Sequence, residues 1–199
     1  MFPAESLRAQ LRQALGAAGV SSPELPKDVE GTPAAVLVPV VDGEEPSVVF
    51  TKRTDELPRH PGEISFPGGL RHPEDGDLLE TALRETEEEL GLPREDIEVL
   101  GSLDPFLTYT TGFWVLPVVG ALRRGQPFRP NPDEIAEVLQ FPLQALSRAE
   151  REVEWRREGQ VWTGFVYEMD GHTIWGATGR MLHEFLEVVR KELSWPNSR

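Results

Sequence analysis

Three glutamates, Glu85, Glu88 and Glu89, are crowded into the run Arg84-Glu85-Thr86-Glu87-Glu88-Glu89-Leu90-Gly91-Leu92. On a helix, positions i, i+3 and i+4 share a face, so these three carboxylates are expected to point together while Glu87 points elsewhere. Like charges at this spacing destabilise an isolated helix by roughly 0.2 to 0.5 kcal/mol per pair. The cluster therefore needs something to neutralise it, and a hard divalent cation does so. Mg²⁺ takes oxygen ligands, keeps several waters and is completed by substrate phosphates. A solvated acidic face is the plain alternative for an isolated glutamate run. Context favours chemistry: a tight Phe66-Pro67-Gly68-Gly69 turn lies upstream, Arg84 adjoins the cluster, and Gly91-Leu92 ends it at once.

Composition restricts what else could act. There is no cysteine, which removes disulfides, thiolate metal sites and cysteine nucleophiles and leaves oxygen or histidine to hold a metal. The histidines, His60, His72, His172 and His183, have no metal-ligand spacing. The formal charge of -14, from 20 basic and 34 acidic residues, argues against a nucleic-acid partner, whose affinity comes largely from phosphate neutralisation. A small anionic substrate is still compatible if a cation and a few arginines reverse the field locally. The start, Met1-Phe2-Pro3-Ala4-Glu5, has no basic segment leading into an apolar run, and no stretch approaches the roughly 20 apolar residues of a membrane span. The expectation is a soluble, cytoplasmic protein with a small-molecule partner and no membrane.

The elements that must position the cluster follow from periodicity. Leu7, Leu11 and Leu15 are four apart, as on an amphipathic helix over residues 5 to 17, within an N-terminal helical extension of about residues 1–30. Apolar runs at Ala34 to Val41 and Ser47 to Arg53, split by Asp42-Gly43-Glu44-Glu45-Pro46, predict a β-hairpin. The loop from Pro58 to Gly69 then leads into a helix of about residues 78 to 90, stopped by Gly91 and Pro93. Further strands are expected at Ile97 to Leu103, Phe113 to Leu122, Ile135 to Phe141 and Val161 to Glu168. A second long helix is expected from Ala177 to Leu193. Strands and helices interleave irregularly, so the class is α/β or α+β with a mixed sheet between helices, in one domain spanning 1–199.

With these residues in place, the sequence resembles the Nudix hydrolase family. Its signature combines a glycine, an Arg-Glu pair, an apolar position, paired glutamates, and a glycine followed by an apolar residue; Gly69 and Arg84 through Leu92 match it. The resemblance implies an α/β/α sandwich, a pyrophosphatase activity and dependence on Mg²⁺ or Mn²⁺. It makes Glu85 and Glu89 the principal metal ligands and the Gly68 carbonyl a backbone ligand. Glu88 becomes a ligand of a second metal or the group that orients water and takes its proton, with Asp133 and Glu134 as rival bases. Arg84 would hold a glutamate by a charge-assisted hydrogen bond. The family's further glutamate, between the glycine and the arginine, is missing, and the interval from Gly69 to Arg84 is one residue longer than usual. Asp75 and Asp77 are the two candidates to replace it.

The longer loop is similar to that of the coenzyme A pyrophosphatase branch. Val49-Phe50-Thr51-Lys52-Arg53-Thr54, Gly62 and Phe66-Pro67-Gly68-Gly69 match that branch's upstream segment in register. Its second arginine does not match: Pro58 fills that slot, with Arg59 beside it. The resemblance implies cleavage of coenzyme A or its derivatives to 3′,5′-ADP and 4′-phosphopantetheine, with Arg53, Arg59 and Gly69 as substrate contacts and Arg71 as a weaker candidate. Guanidinium groups suit phosphates through paired donors. Phe106, Phe113 or Trp114 could line a groove for the pantetheine arm, although core packing suits each of them. The alternatives are another nucleoside diphosphate derivative, such as ADP-ribose or NADH, or a non-catalytic nucleotide-binding regulator.

Overall fold

The computed structural model describes residues 7–16, 31–57, 60–157 and 160–192. In chain order the elements are α1 (Leu7–Ala14), β1 (Thr32–Val41), β2 (Ser47–Arg53), β3 (Ile64–Ser65), β4 (Gly68–Leu70) and α2 (Leu78–Leu90). They continue with β5 (Glu98–Ser102), β6 (Phe106–Leu107), β7 (Phe113–Leu122), β8 (Ile135–Pro142), α3 (Leu143–Ala149), β9 (Glu150–Arg157), β10 (Gln160–Met169), β11 (His172–Ile174) and α4 (Gly176–Glu192). One sheet runs β3-β2-β1-β7-β5, with β4 on β1, β6 on β7 and β8 on β2; a second runs β11-β10-β9. The chain is thus α+β, with a mixed sheet held between helices.

The centre of the large sheet is a parallel pair, β1 on β7, in register from Thr32↔Phe113 to Val41↔Leu122. Parallel strands are covered on both faces and so tend to be apolar throughout, which explains the near-continuous burial of both strands. Successive side chains leave opposite faces of a strand. Ala35 and Leu37 of β1 accordingly meet Leu78, Ala82 and Leu90 of α2. Val38, with Phe50 and Phe66, meets Met181, Phe185 and Leu186 of α4.

The expected hairpin forms, but β1 and β2 pair only at Val40↔Val48 and Val41↔Ser47. Beyond that point the strands part. Ala34 to Val36 take β4 as partner, and Thr51 and Lys52 take β3. Phe66 and Pro67 fill the split: Phe66 is buried and stacks on Phe50 at 4.8 Å, and Leu37 N–H donates to Pro67 O at 2.8 Å. This split delivers Gly68 and Gly69 to the foot of α2.

The helix itself has clear start and stop signals. Asp77 caps its N-terminus by accepting from Glu80 N–H at 2.9 Å, and Glu80 reaches back to accept from Gly76 N–H at 2.7 Å, a reciprocal arrangement close to a capping box. Gly91, with φ at 61°, closes the other end by donating to Glu87 O at 2.9 Å, a backbone conformation that glycine adopts without steric cost.

Among the described parts of the N-terminal segment, Leu7 and Leu11 are buried and Arg8 pairs with Glu98 at 2.8 Å. Elements that the periodicity did not predict are short (β3, β4, β6, α3, β11) or masked by charge. β9 reads Glu150-Arg151-Glu152-Val153-Glu154-Trp155, a pattern that looks solvated, and it forms because β10 pairs with it along its length. No helix among the described residues is long and apolar enough to cross a membrane.

Candidate functional site

The side chains of the site are placed by α2, the turn before it, the end of β2 and a loop before β8. Arg84 is the hub. Its Nε donates to Asp75 Oδ1 at 2.9 Å and its Nη2 to Asp75 Oδ2 at 3.0 Å. Its Nη1 donates to Glu85 Oε1 at 2.9 Å and to Glu88 Oε2 at 3.0 Å, and Nη2 also reaches Leu70 O at 3.1 Å. Of the two aspartates in the long loop, Asp75 therefore meets the arginine, while Asp77 caps the helix. Asp75 is buried and accepts two further bonds, from His72 N–H and Thr81 Oγ1, both at 2.9 Å. The Arg84 hydrogen bonds, aided by these donors, hold its carboxyl well below the usual carboxylate range.

The three glutamates do not share one environment. Glu88 is largely exposed and tied to Arg84. Glu85 is mostly covered, and burial pushes its carboxyl upward against the opposing pull of Arg84. Glu89 is only 3% exposed, on the helix face that carries Leu78, Ala82 and Leu90. A carboxylate so placed is costly without partners, and its Oε2 has no hydrogen-bond partner. Burial, then the nearby charge of Glu85, pushes Glu89 up to about 8, against pulls from Arg53 and the Gly68 backbone.

The glycines explain how close the backbone comes. A Cβ on Gly69 would lie 2.5 Å from the Glu85 carboxyl carbon, and one on Gly68 would lie 2.4 Å from Ala35 O. The Glu85 carboxylate thus rests directly on the Gly68-Gly69 turn. Among the described residues no three acidic or histidine side chains converge into a ready-made cage for a cation. The donor set is instead open: two shielded glutamates, one exposed glutamate and main-chain oxygen. That suits Mg²⁺ or Mn²⁺ better than a metal needing a complete protein shell.

Arg53, at the end of β2, projects toward the same place. Its Nη1 lies 4.0 Å from Glu89 Oε1, and its Nε is buried without an acceptor. Arg59 and Pro58 lie outside the described residues. Arg71 is occupied in holding the loop, donating from Nη2 to Asp75 O and Gly76 O at 3.0 Å each. Phe106 is buried beneath the Arg180 guanidinium, 4.2 Å from its ring centroid. Phe113 and Trp114 are half-buried, and the Trp114 indole N–H has no acceptor.

A second loop closes on the helix end. Asn131 N–H donates to Glu89 O at 2.9 Å, Arg129 N–H to Leu90 O at 2.8 Å, and Thr54 N–H to Glu134 O at 2.9 Å. Glu134 is near enough to raise Glu89 further, whereas Asp133 is exposed. Asn131 has no counterpart among the residues singled out from sequence. Its one signal is its place in Pro130-Asn131-Pro132, where a turn is expected.

The chain has relatives among known proteins. The NUDIX domain family matches residues 31–162. A Photorhabdus laumondii protein named "Uncharacterized Nudix hydrolase NudL" is 37% identical over 159 residues, covering 79% of this chain and 84% of that protein. Its namesake from Yersinia pestis is 37% identical over 158 residues, covering 78% and 79%. A MutT/nudix family protein from Enterococcus faecalis is similar in structure, with a TM-score of 0.51 at 17% identity, covering 94% of this chain and 74% of that one. At that identity the likeness speaks to the fold.

Proposed function

The chain belongs to the Nudix hydrolase family of pyrophosphatases, and from that premise we propose that it cleaves coenzyme A or its derivatives to 3′,5′-ADP and 4′-phosphopantetheine or its acyl form. The observation that carries this reading is the approach of Arg53 to Glu89, 4.0 Å between Nη1 and Oε1, with Nε buried and without an acceptor. Arg53 belongs to the segment Val49 to Thr54 that resembles the coenzyme A branch, so a guanidinium from the substrate-reading segment stands beside the acidic centre. Guanidinium donors match phosphate oxygens at two points. A buried Nε lacking an acceptor is a donor suited to a ligand oxygen.

The residues also fit a divalent cation. Glu85 and Glu89 would hold it, with Glu88 and the Gly68 carbonyl as further ligands, and the unpaired Glu89 Oε2 is the best mark of that fit. When bound, such a cation offsets pyrophosphate charge and acidifies water. The chain's own groups do the rest. Asp75 fixes Arg84, and Arg84 fixes Glu85 and Glu88. Glu88, the most exposed of the three, takes the proton from the attacking water, or Glu134 takes it from the loop opposite. Arg53 and the Gly69 backbone orient the phosphates, with Arg59 as a further contact that the family resemblance implies.

Mass-spectrometric identification of products tests the reading. The panel is coenzyme A, 3′-dephospho-coenzyme A, ADP-ribose and NADH, each with Mg²⁺ and with Mn²⁺. Fastest release of 3′,5′-ADP from coenzyme A supports it; faster turnover of ADP-ribose or NADH overturns it.

A further inference from the structure

Lys52 and Arg53 are consecutive on β2, where the pairing with β8 shifts register between them, and the two side chains reach different sites. Arg53 approaches Glu89. Lys52 enters a cleft of about 300 Å³ on the α4 side, between the loop before β3 and the β10–β11 turn, lined also by Gly62, Gly171, His172, Thr173 and Trp175. That volume is at the small end for ligand sites. It is on the scale of a mononucleotide, not of a whole dinucleotide.

Three features make this cleft unlike ordinary surface. Trp175 leaves 49% of its area exposed on the wall, where a large aromatic face normally seeks cover. The Lys52 ammonium has no ion pair or side-chain hydrogen bond among the described residues, in a chain of net charge -14. The carboxylates around it pair with histidines rather than with Lys52: Glu63, which also lines the cleft, accepts from His60 Nδ1 at 2.7 Å, and Glu137, the cross-strand neighbour of Lys52 on β8, faces His172 Nε2 at 4.0 Å. The rim is open at Gly171, where an added Cβ would meet nothing within 4 Å.

We propose that this cleft binds the phosphate-bearing end of a nucleotide, with the base stacked on the Trp175 indole and the phosphate on Lys52. The Thr173 hydroxyl and the Gly171 amide are the adjoining neutral donors. An aromatic platform beside a lone cation is the general recipe for holding a base and its phosphate. The inference stands on the cleft alone and does not depend on which pyrophosphate is cleaved at Glu89. Its ligand has two possible sources: the nucleotide end of the substrate itself, or a free nucleotide.

Isothermal titration of the full chain with 3′,5′-ADP, which has no anhydride to cleave, tests the proposal, with adenosine and inorganic phosphate as companion probes. Trp175→Ala should weaken 3′,5′-ADP binding about fivefold or more, the low end for loss of a stacked base, and Trp175→Phe should restore most of it. Lys52→Met should weaken 3′,5′-ADP and phosphate but leave adenosine unchanged. Unaltered 3′,5′-ADP affinity in both Trp175→Ala and Lys52→Met overturns the site, as does loss of binding in Glu89→Gln alone. Lys52→Met keeps the test decisive if Trp175→Ala folds poorly. The source is read from turnover: a higher KM for coenzyme A with unchanged kcat in Trp175→Ala and Lys52→Met points to the substrate's own end. Unchanged KM beside weakened titration points to a free nucleotide.

Discussion

Asp75 grips Arg84 at two points, Nε to Oδ1 at 2.9 Å and Nη2 to Oδ2 at 3.0 Å, and leaves the remaining Nη1 donor for Glu85 and Glu88. A carboxylate in the loop thereby sets the rotamer of an arginine, which in turn sets two acidic side chains one turn apart. Bidentate contacts of this kind fix geometry as well as energy.

Asp75→Asn should expose that dependence. It retains the shape of the side chain but loses the charge, and outer partners of this type typically cost about 10- to 100-fold in metal affinity or activity when altered. Metal titrations of turnover should show the loss as a higher Mg²⁺ requirement. Asp75→Ala should also destabilise the fold by about 3 kcal/mol, the low end for breaking a buried pair, because Glu85 and Glu88 still partner Arg84. Equal Mg²⁺ requirements in wild type and Asp75→Asn would count against the positioning role.

Asp75 also predicts an acid limit. Its carboxyl is held below the usual range in the folded protein, so its contribution to stability is complete above the ordinary carboxylate value, about 3.9, and is lost as pH falls below that. Melting curves from pH 6 down to pH 3 should show wild type losing more Tm than Asp75→Asn. Parallel losses would contradict the shift.

Glu89 predicts the opposite slope. With its folded value pushed up to about 8 by burial and Glu85, the metal-free protein has this contribution in full below the ordinary glutamate value, about 4.3. Ionisation costs stability as pH rises from there toward 8. Without divalent ions, Glu89→Gln should melt higher than wild type at pH 8 and much like it at pH 4.5. Added Mg²⁺ should raise the wild-type Tm at pH 8 and not that of the variant. Glu89→Gln should meanwhile remove nearly all turnover; substantial metal-dependent activity would remove Glu89 from the ligand set.

How far such a site can be read from sequence depends on whether the determinant is local. The bounds of α2 follow from Asp77 and Gly91, which act on their own neighbours, and β7 is found at Phe113–Leu122 because ten successive residues read as one apolar strand. That Glu89 is buried while Glu88 is exposed is not a property of the glutamate run. It follows from Arg53, Gly68 and the loop of Asn131 and Glu134 closing over that end of the helix, all far off in sequence. The choice between Asp75 and Asp77 likewise needed the turn in three dimensions. So did β9, whose alternating charges conceal a strand until β10 lies beside it.

Arg53 separates recognition from chemistry. Coenzyme A has a 3′-phosphate that 3′-dephospho-coenzyme A lacks, and a guanidinium hydrogen-bonded to a phosphate contributes through charge-assisted bonds. Arg53→Ala should raise KM for coenzyme A more than for the dephospho form if it reads that phosphate. Equal effects on the two substrates would assign it to the pyrophosphate instead. Its 4.0 Å approach to Glu89 adds a second readout. Losing the cation should push Glu89 still higher and steepen the pH dependence of metal activation.

Gly69 tests whether the glutamates need the bare turn beneath them. An alanine Cβ there would lie 2.5 Å from the Glu85 carboxyl carbon, closer than any van der Waals contact, so Glu85 would have to move. Glu85 is held on its other side by Arg84 Nη1 at 2.9 Å, and any displacement is passed to Arg84 and Glu88. Gly69→Ala should therefore fold, since the obstacle is a side chain able to rotate, yet lose about 100-fold or more in kcat, the usual scale for a misplacement of about 1 Å. Gly68→Ala differs in kind. Its Cβ would meet the main-chain oxygen of Ala35 at 2.4 Å, which has no rotamer to yield, so β4 must leave β1. A Gly68→Ala protein melting well below Gly69→Ala, with Gly69→Ala inactive but near wild-type Tm, is the expected pair of results. Full activity in Gly69→Ala would show that Glu85 works from a position other than against this turn.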